Sequence, residues 1–333
     1  FEGMLVTFPQ MLTVSEYFEL ARYGQLVLTQ GGRIEQFTNA NAPDAAGYAA
    51  HLTDKAQRTI ILDDDNNRQN APLDFTDPAF DKAVYHPTPG GFSTTNYVRG
   101  GDSITNLTGV LHWSFAGQSG TDAWRIRPVP EQFSYAFAAD NPRPIVPDVG
   151  GNLRIASFNV LNYFNGDGVG GGFPTSRGAD SVAEFDRQTD KIVAAINALN
   201  ADVVGLMEIE NDYGDGANSA IADLVAALNS AAGAVVYGYV DPGADVGTDE
   251  IAVGIIYKPA VVSPLGAPAI LDSAAFVNPL TPADPKNRPA IAQSFRISDG
   301  ANPGEGEIFT VVVNHLKSKG SACGAGDDDP TTG

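Results

Sequence analysis

The stretch from Pro128 to Gly151, PVPEQFSYAFAADNPRPIVPDVGG, separates two segments whose apolar residues follow different periods. Its five prolines and closing glycine pair suit neither a helix interior nor a central strand, so residues 129–151 read as a connector. Before it, residues 1–128 carry short β-branched and aromatic runs (GMLVTF, GQLVLTQGGRIEQF, RTIILDDD, GVLHWSF, WRIRPV) set off by Gly, Pro, Asn and Asp. A helical period is visible there only around Ser15 to Tyr23, which predicts a small β-barrel or sandwich. After it the periods alternate. LRIASFNVLNYF reads as a buried strand, and SVAEFDRQTDKIVAAINALN sets Val182, Phe185, Ile192, Val193, Ile196 and Leu199 on one helical face. DVVGLMEIE is a strand and SAIADLVAALNSAAG a helix stopped at Gly233; EIAVGIIYKP, RPAIAQSFRI and EIFTVVVNHL are further strands. Residues 152–333 are thus expected to form a mixed α/β domain. At 333 residues the chain exceeds the usual reach of one core, which agrees with two domains.

Three apolar runs of the second segment end in a residue suited to chemistry: Asn159 in IASFNVLNY, Glu208 in VVGLMEIEN and His315 in VVVNHLKSK. Strand ends on one rim of a sheet are where α/β proteins gather their sites. Singly, Asn159 also suits a turn, Glu208 the first solvated position after a strand, and His315 a structural role. Together they suit one chemistry. Glu208 offers the hard carboxylate oxygen that Mg²⁺ takes, and His315 titrates near neutral pH. Arg288, Lys317 and Lys319 are donors for phosphate oxygens. With 20 Lys and Arg against 40 Asp and Glu, a net charge of −20, the chain is a poor non-specific polyanion binder. Several of its few cations nevertheless cluster in sequence about His315, which points to an anionic substrate.

The ordered motifs FNVLNY, GLMEIEN, DEIAVGIIYKP, NRPAIAQSF and VNHLKSKG resemble the endonuclease/exonuclease/phosphatase superfamily, of which deoxyribonuclease I is the best-known member. More narrowly the chain resembles the secreted bacterial nucleases of ExeM/NucH type. In the first segment YFELARYGQLVLTQGGRIEQFTNAN and RTIILDDDNN are similar to the β domain that precedes the nuclease in that group, which is related to oligonucleotide/oligosaccharide-binding (OB) barrels. The resemblance implies an OB-like accessory domain followed by an α/β/β/α four-layered sandwich, incomplete at its C-terminus.

On the same resemblance Asn159, Glu208 and His315 are catalytic. Glu208 also holds the metal, and Arg288, Asn159, Lys317 and Lys319 hold substrate phosphate. Glu210 and Asn211, in the same motif, either position that set or are structural. The resemblance implies metal-assisted hydrolysis of phosphodiester bonds in DNA, with RNA left open as an alternative, with little sequence preference and with Mg²⁺ or Mn²⁺ as cofactor. Ca²⁺ is a further candidate ion, at Asp63 to Asn67 (DDDNN), although a solvated acidic turn is the simpler expectation there.

The family's two later motifs, a Gly-Asp-Phe-Asn strand end and a Ser-Asp-His, do not occur before Gly333. The start FEGMLVTFPQ lacks an initiator Met and a signal segment. A longer protein is therefore expected, in which the lone cysteine, Cys323, pairs with a later one as the family's loop implies. The setting is expected to be extracellular or at the cell surface. No membrane insertion is expected, since no run approaches the roughly 18 apolar residues of a span, and no protein partner can be inferred.

Two other classes remain open. A relative acting on phospholipid or sugar phosphate would use the same half-site, but the loop GGFPTSRGADS is polar where a lipid enzyme would be apolar. A nucleic-acid or polysaccharide-binding module would use Trp113, Trp124, Tyr97 and His112 as a stacking surface, although core packing is the expectation for the tryptophans. His51 and His86 are assigned no role.

Overall fold

The computed structural model describes residues 1–65, 69, 86, 95–117, 119–129, 132–145, 147–272 and 288–316. The chain divides into one compact unit of Phe1–Pro144 and a second beginning at Ile145.

In the first unit β1 (Leu5–Phe8), β2 (Leu12–Glu16), β3 (Gln25–Gln30), β4 (Thr59–Asp63), β5 (Ser103–Ile104), β6 (Leu107–Phe115) and β7 (Asp122–Pro128) form one sheet. Its order is β1-β6-β7-β4-β3-β2-β5, antiparallel except for the β4–β7 pair. It is a single ladder, not two facing sheets, and among the described residues no pairing joins its end strands. Alternation buries Leu12, Val14, Leu26, Leu28, Leu62 and Ile126 together. The helical period expected at Ser15–Tyr23 contracts to α1 (Leu20–Tyr23), because β2 runs on to Glu16.

After a further single turn, α2 (Phe37–Ala40), comes a helix that periodicity did not disclose, α3 (Ala45–Arg58). It buries none of its residues, so no stripe of large apolar side chains facing a core reveals it. Local terms support it: the Asp44 carboxylate accepts from Gly47 N–H at the N-cap, the sequence is rich in alanine, and Arg58 pairs with Asp54 at 2.6 Å one turn away; Arg58 also donates to the Gln30 carbonyl, and the Phe37 ring meets Tyr48 and His51. Part of the expected connector also belongs to this unit, for Tyr135 is buried in its core and Ala138 bridges Ser103.

The acidic turn is the larger correction. Asp63 and Asp64 are both about 1% exposed. Asp63 accepts from Arg125 at 2.5 Å and from Gln25 at 3.1 Å, while Asp65 meets Arg127 at 2.9 Å. Asp63 and Asp65 are thus paired with arginines, and Asp63 and Asp64 are buried where a solvated turn was expected; Asn66 and Asn67 lie outside the described residues. His86, given no role, is buried against the Tyr135 hydroxyl.

In the second unit β8 (Ile155–Tyr163), β9 (Val203–Glu210), β10 (Gly238–Tyr239) and β11 (Ile251–Tyr257) form a sheet of order β10-β11-β9-β8. β8 and β9 run parallel, joined by helix α4 (Val182–Leu199). β12 (Val262–Leu271), β13 (Ala290–Ile297) and β14 (Ile308–Val313) form an antiparallel meander. A 3-10 segment, Tyr213–Asn218, leads into helix α5 (Ala220–Ala232).

Both long helices end where their sequence chemistry requires. Ser181 and Ser219 cap the starts, and Asn200 and Gly233 take left-handed conformations at the stops. The expected face of α4 packs inward at Phe185, Ile192, Val193 and Ile196, whereas Val182, in the first turn, stays exposed.

Two glycines set the layer spacing. A Cβ on Gly254 would come within 2.8 Å of Ile221 on α5, and one on Gly205 within 2.8 Å of Val313 on β14. Helices therefore cover one face of the first sheet and the meander covers the other. Helix, sheet, sheet is the layering of the described residues; a fourth, helical layer is not among them.

Candidate active site

Glu208 occupies an irregular position of its strand. β11 pairs Val253 with Met207 and Ala252 with Ile209, so Glu208 is skipped and bulges. Its φ of +65° lies in the left-handed region, which costs a residue with a Cβ about 1–2 kcal/mol. On the other side β8 is irregular between Asn159 and Tyr163, and Leu161 and Asn162 have φ of +57° and +52°. Two bulges thus meet at the ends of adjacent parallel strands. Gln188 of α4 holds one of them, donating to the carbonyls of Val160 and Leu161 at 3.0 and 2.8 Å.

This backbone aims the side chains at one another. Asn159 Oδ1 accepts from Leu161 N–H at 2.8 Å, which turns its Nδ2 to donate to Glu208 Oε1 at 2.8 Å. His315, just beyond β14, brings Nε2 to 3.6 Å from the same oxygen. On the far side of the ring Arg288 Nη1 stands 3.3 Å from Nδ1. Because a guanidinium only donates, Nδ1 accepts, and the neutral ring carries its proton on Nε2, facing Glu208. Burial, with the charge of Arg288, lowers the His315 pKa against the opposing pull of Glu208 and Asp249. Four of the six sequence-derived site residues, Asn159, Glu208, Arg288 and His315, therefore converge. Lys317 and Lys319 lie outside the described residues, as does Cys323.

Beside them stands a network that strand ends did not reveal. Asp249 Oδ2 accepts from Arg288 Nη2 at 3.1 Å, and its Oδ1 from Arg177 Nη1 at 3.0 Å. Arg177 Nε also meets Glu250 at 2.8 Å. Asn211 fixes this loop: its Nδ2 donates to the carbonyls of Val246 and Asp249, its Oδ1 accepts from Val246 N–H, and its own N–H donates to Glu250 O. Glu210 accepts from Asn165 N–H at 3.1 Å; burial, then the Asp212 charge, pushes its carboxyl up to about 7. The only hints of these roles in sequence were Asp249 and Glu250 opening an apolar strand and Arg177 interrupting a glycine-rich loop.

Among the described residues no three His, Cys, Asp or Glu side chains form a metal-binding group. Glu208 alone satisfies the minimum for Mg²⁺, one carboxylate with water filling the rest of the shell. Asp249 is committed to two arginines.

Elsewhere, the core expectation for the tryptophans of the first unit fails. Trp113 and Trp124 face each other across β6 and β7, ring centroids 5.2 Å apart, and are 46% and 38% exposed. No helix among the described residues is long and apolar enough to cross a membrane.

No family model and no curated protein matches the chain. Solved structures similar to it include the human Nocturnin catalytic domain with bound sulfate, at 14% identity and a TM-score of 0.29, over 50% of this chain and 51% of that one. The D. rerio TDP2 complexed with a single-strand DNA product is similar at 18% identity and a TM-score of 0.28, over 50% and 46%. An endonuclease/exonuclease/phosphatase family protein from Bacteroides thetaiotaomicron is similar at 18% identity and a TM-score of 0.30, over 50% and 52%. The chain thus spans about half the length of these structures.

Proposed function

We propose that the second unit carries the site of a metal-dependent phosphodiester hydrolase acting on DNA, with RNA as its second substrate, in a secreted ExeM/NucH-type nuclease of the endonuclease/exonuclease/phosphatase superfamily. The observation that carries this reading is the convergence of Asn159, Glu208, Arg288 and His315 on one rim, with a carboxylate oxygen at its centre. Glu208 would hold Mg²⁺ or Mn²⁺, which when bound neutralises charge developing on the phosphoryl group. Arg288 offers charge-assisted donors to a phosphate oxygen. Asn159 orients Glu208 through its amide. His315 holds a proton at Nε2, the ring nitrogen left facing the site once Arg288 occupies Nδ1, and transfers it at the scissile bond. Every proposed contact is to phosphate or metal and none to a base edge, so little sequence preference follows.

Digestion of supercoiled plasmid by the full-length protein tests this. Cleavage should require the metal, stop with EDTA, and fall at least about a hundredfold in His315→Ala and Glu208→Ala. Persistence of cleavage in EDTA, or in both variants, would refute it, and inactivity on DNA and RNA with hydrolysis of a phospholipid or sugar phosphate would move the substrate within the same chemistry. The exposed Trp113–Trp124 pair favours a second reading for the first unit, an OB-like module that stacks on nucleic-acid bases or polysaccharide rings. Loss of retention on single-stranded DNA or polysaccharide in the double alanine variant tests that reading.

A further inference from the structure

The segment GGFPTSRGADS ends in a turn that ties itself together. Thr175 N–H and Oγ1 both donate to Ala179 O, at 3.1 and 2.9 Å, and Gly178 N–H donates to Thr175 Oγ1 at 3.0 Å. Arg177 sits at the apex of this turn, and Ser176 beside it donates to Glu250 at 3.3 Å. The turn is therefore closed by its own bonds and does not need the Arg177 side chain to hold its shape.

That side chain reaches the rim of the candidate site. Arg177 and Arg288 take one oxygen each of the same Asp249 carboxylate, at 3.0 and 3.1 Å. Asp249 is itself fixed: its Oδ1 also accepts from Ile251 N–H at 3.2 Å, and Asn211 holds its carbonyl at 2.9 Å. Two guanidinium groups are thus held side by side on the rim, one on each oxygen of a single fixed carboxylate. Arg177 Nη2 has no partner among the described residues and its side chain is 41% exposed, so donor capacity remains for an incoming anion.

From this geometry we infer that Arg177 is a second phosphate contact and that Asp249 is a positioning residue setting its distance from Arg288, so that the site engages two consecutive phosphates of one strand. The inference rests on the phosphodiesterase reading and adds to it a contact that only a substrate with more than one phosphate, such as an oligonucleotide, can meet. Arg288 takes the scissile phosphate next to His315, and Arg177 the one beside it.

The test compares two substrates of the full-length protein with Mg²⁺: bis(p-nitrophenyl) phosphate, with a single phosphate, and a quenched fluorescent oligothymidylate. Arg177→Ala should lower kcat/KM on the oligonucleotide about tenfold more than on the small diester, chiefly through KM, the worth of one charge-assisted contact. The slope of log KM against log salt should fall by roughly the 0.7 expected for one single-strand phosphate. Arg177→Lys should recover part of the loss, and Asp249→Asn should show the same substrate bias with Arg177 intact. An equal fall on both substrates in Arg177→Ala, with no recovery in Arg177→Lys, overturns the inference and leaves the phosphodiesterase reading standing. Hydrolysis of neither substrate by the unsubstituted protein removes both.

Discussion

Glu210 makes a quantitative test of how the second unit is held together. Its carboxyl is removed from water at the end of β9, accepts one hydrogen bond from Asn165 N–H, and has Asp212 as a neighbouring acid. Burial first, and that like charge second, raise it from 4.5 to about 7. The folded state then binds more protons than the unfolded chain between these values, so unfolding free energy falls as pH rises through them. The penalty is absent below about 4.5 and complete above about 7. The shift of about 2.5 units corresponds to about 3 kcal/mol at most. Partial exposure to solvent reduces that to about 1.5 kcal/mol. Glu210→Gln keeps an oxygen for Asn165 and removes the charge. Urea unfolding in EDTA, which excludes divalent ions, should show the variant more stable than the parent by about 1.5 kcal/mol at pH 8 and equal to it near pH 4.5. A stability difference that does not change with pH, or a variant that is weaker at pH 8, would refute the reasoning.

Three further outcomes follow from separate parts of the molecule. Asp63→Ala should cost about 3–5 kcal/mol in denaturant unfolding of the first unit, because it leaves Arg125, 3% exposed, charged and unpaired; a loss under about 1 kcal/mol would mean that solvent reaches the arginine. Leu161→Gly should stabilise by about 1 kcal/mol, since Leu161 is 73% exposed at a φ of +57° and loses little but backbone strain; a lower melting temperature would count against strain there. In the pH profile of kcat/KM the limb that reports His315 should lie below 6.5, and Arg288→Gln, which removes a charge holding that pKa down, should move the limb upward in whatever activity remains.

Much of the second unit was legible because its signals are local and periodic. Continuous β-branched runs mark strands buried on both faces, and the stripe through Phe185, Ile192 and Ile196 marks α4. Ser219 and Gly233 bracket α5 by cap chemistry alone. What escaped was whatever lacks a period. Helix α3 buries none of its residues, so propensity, capping and edge contacts such as Arg58 with the Gln30 carbonyl define it. The acidic run at Asp63 looks solvated until β7 delivers Arg125 from 62 residues away. Trp113 and Trp124 look like core until the pairing of β6 with β7 sets them opposite each other at an exposed position. At the site, the convergence of Asn159, Glu208 and His315 was legible because each stands at the end of an apolar run, although Asn159 and Glu208 lie within β8 and β9 and only His315 lies beyond its strand. The Arg177–Asp249–Arg288 chain was not, because it depends on how two loops are folded rather than on any spacing in sequence.

That chain also bears on why so acidic a protein pairs its cations here. Ion pairs as exposed as Arg177–Asp249 and Arg288–Asp249 contribute about 0–1 kcal/mol to stability, so holding the fold together does not account for them. Their effect is on order. Without a partner, two long guanidinium side chains would sample many rotamers and lose that freedom on meeting an anion, at a cost of order 1 kcal/mol each. Asp249, fixed through Ile251 and Asn211, removes that cost beforehand. The pairing is also weak enough in water for a phosphate to share the donors. A carboxylate beside two arginines thus does not spoil a phosphate site; it places the two charges and leaves their outward donors to the substrate. The same reasoning applies at Glu208, where a strained backbone sets one carboxylate oxygen between Asn159 and His315 before any ligand arrives. Glu208 gives up local stability and Asp249 adds little of it, and both fix geometry in advance, as the proposed hydrolytic site requires and a purely structural strand end does not.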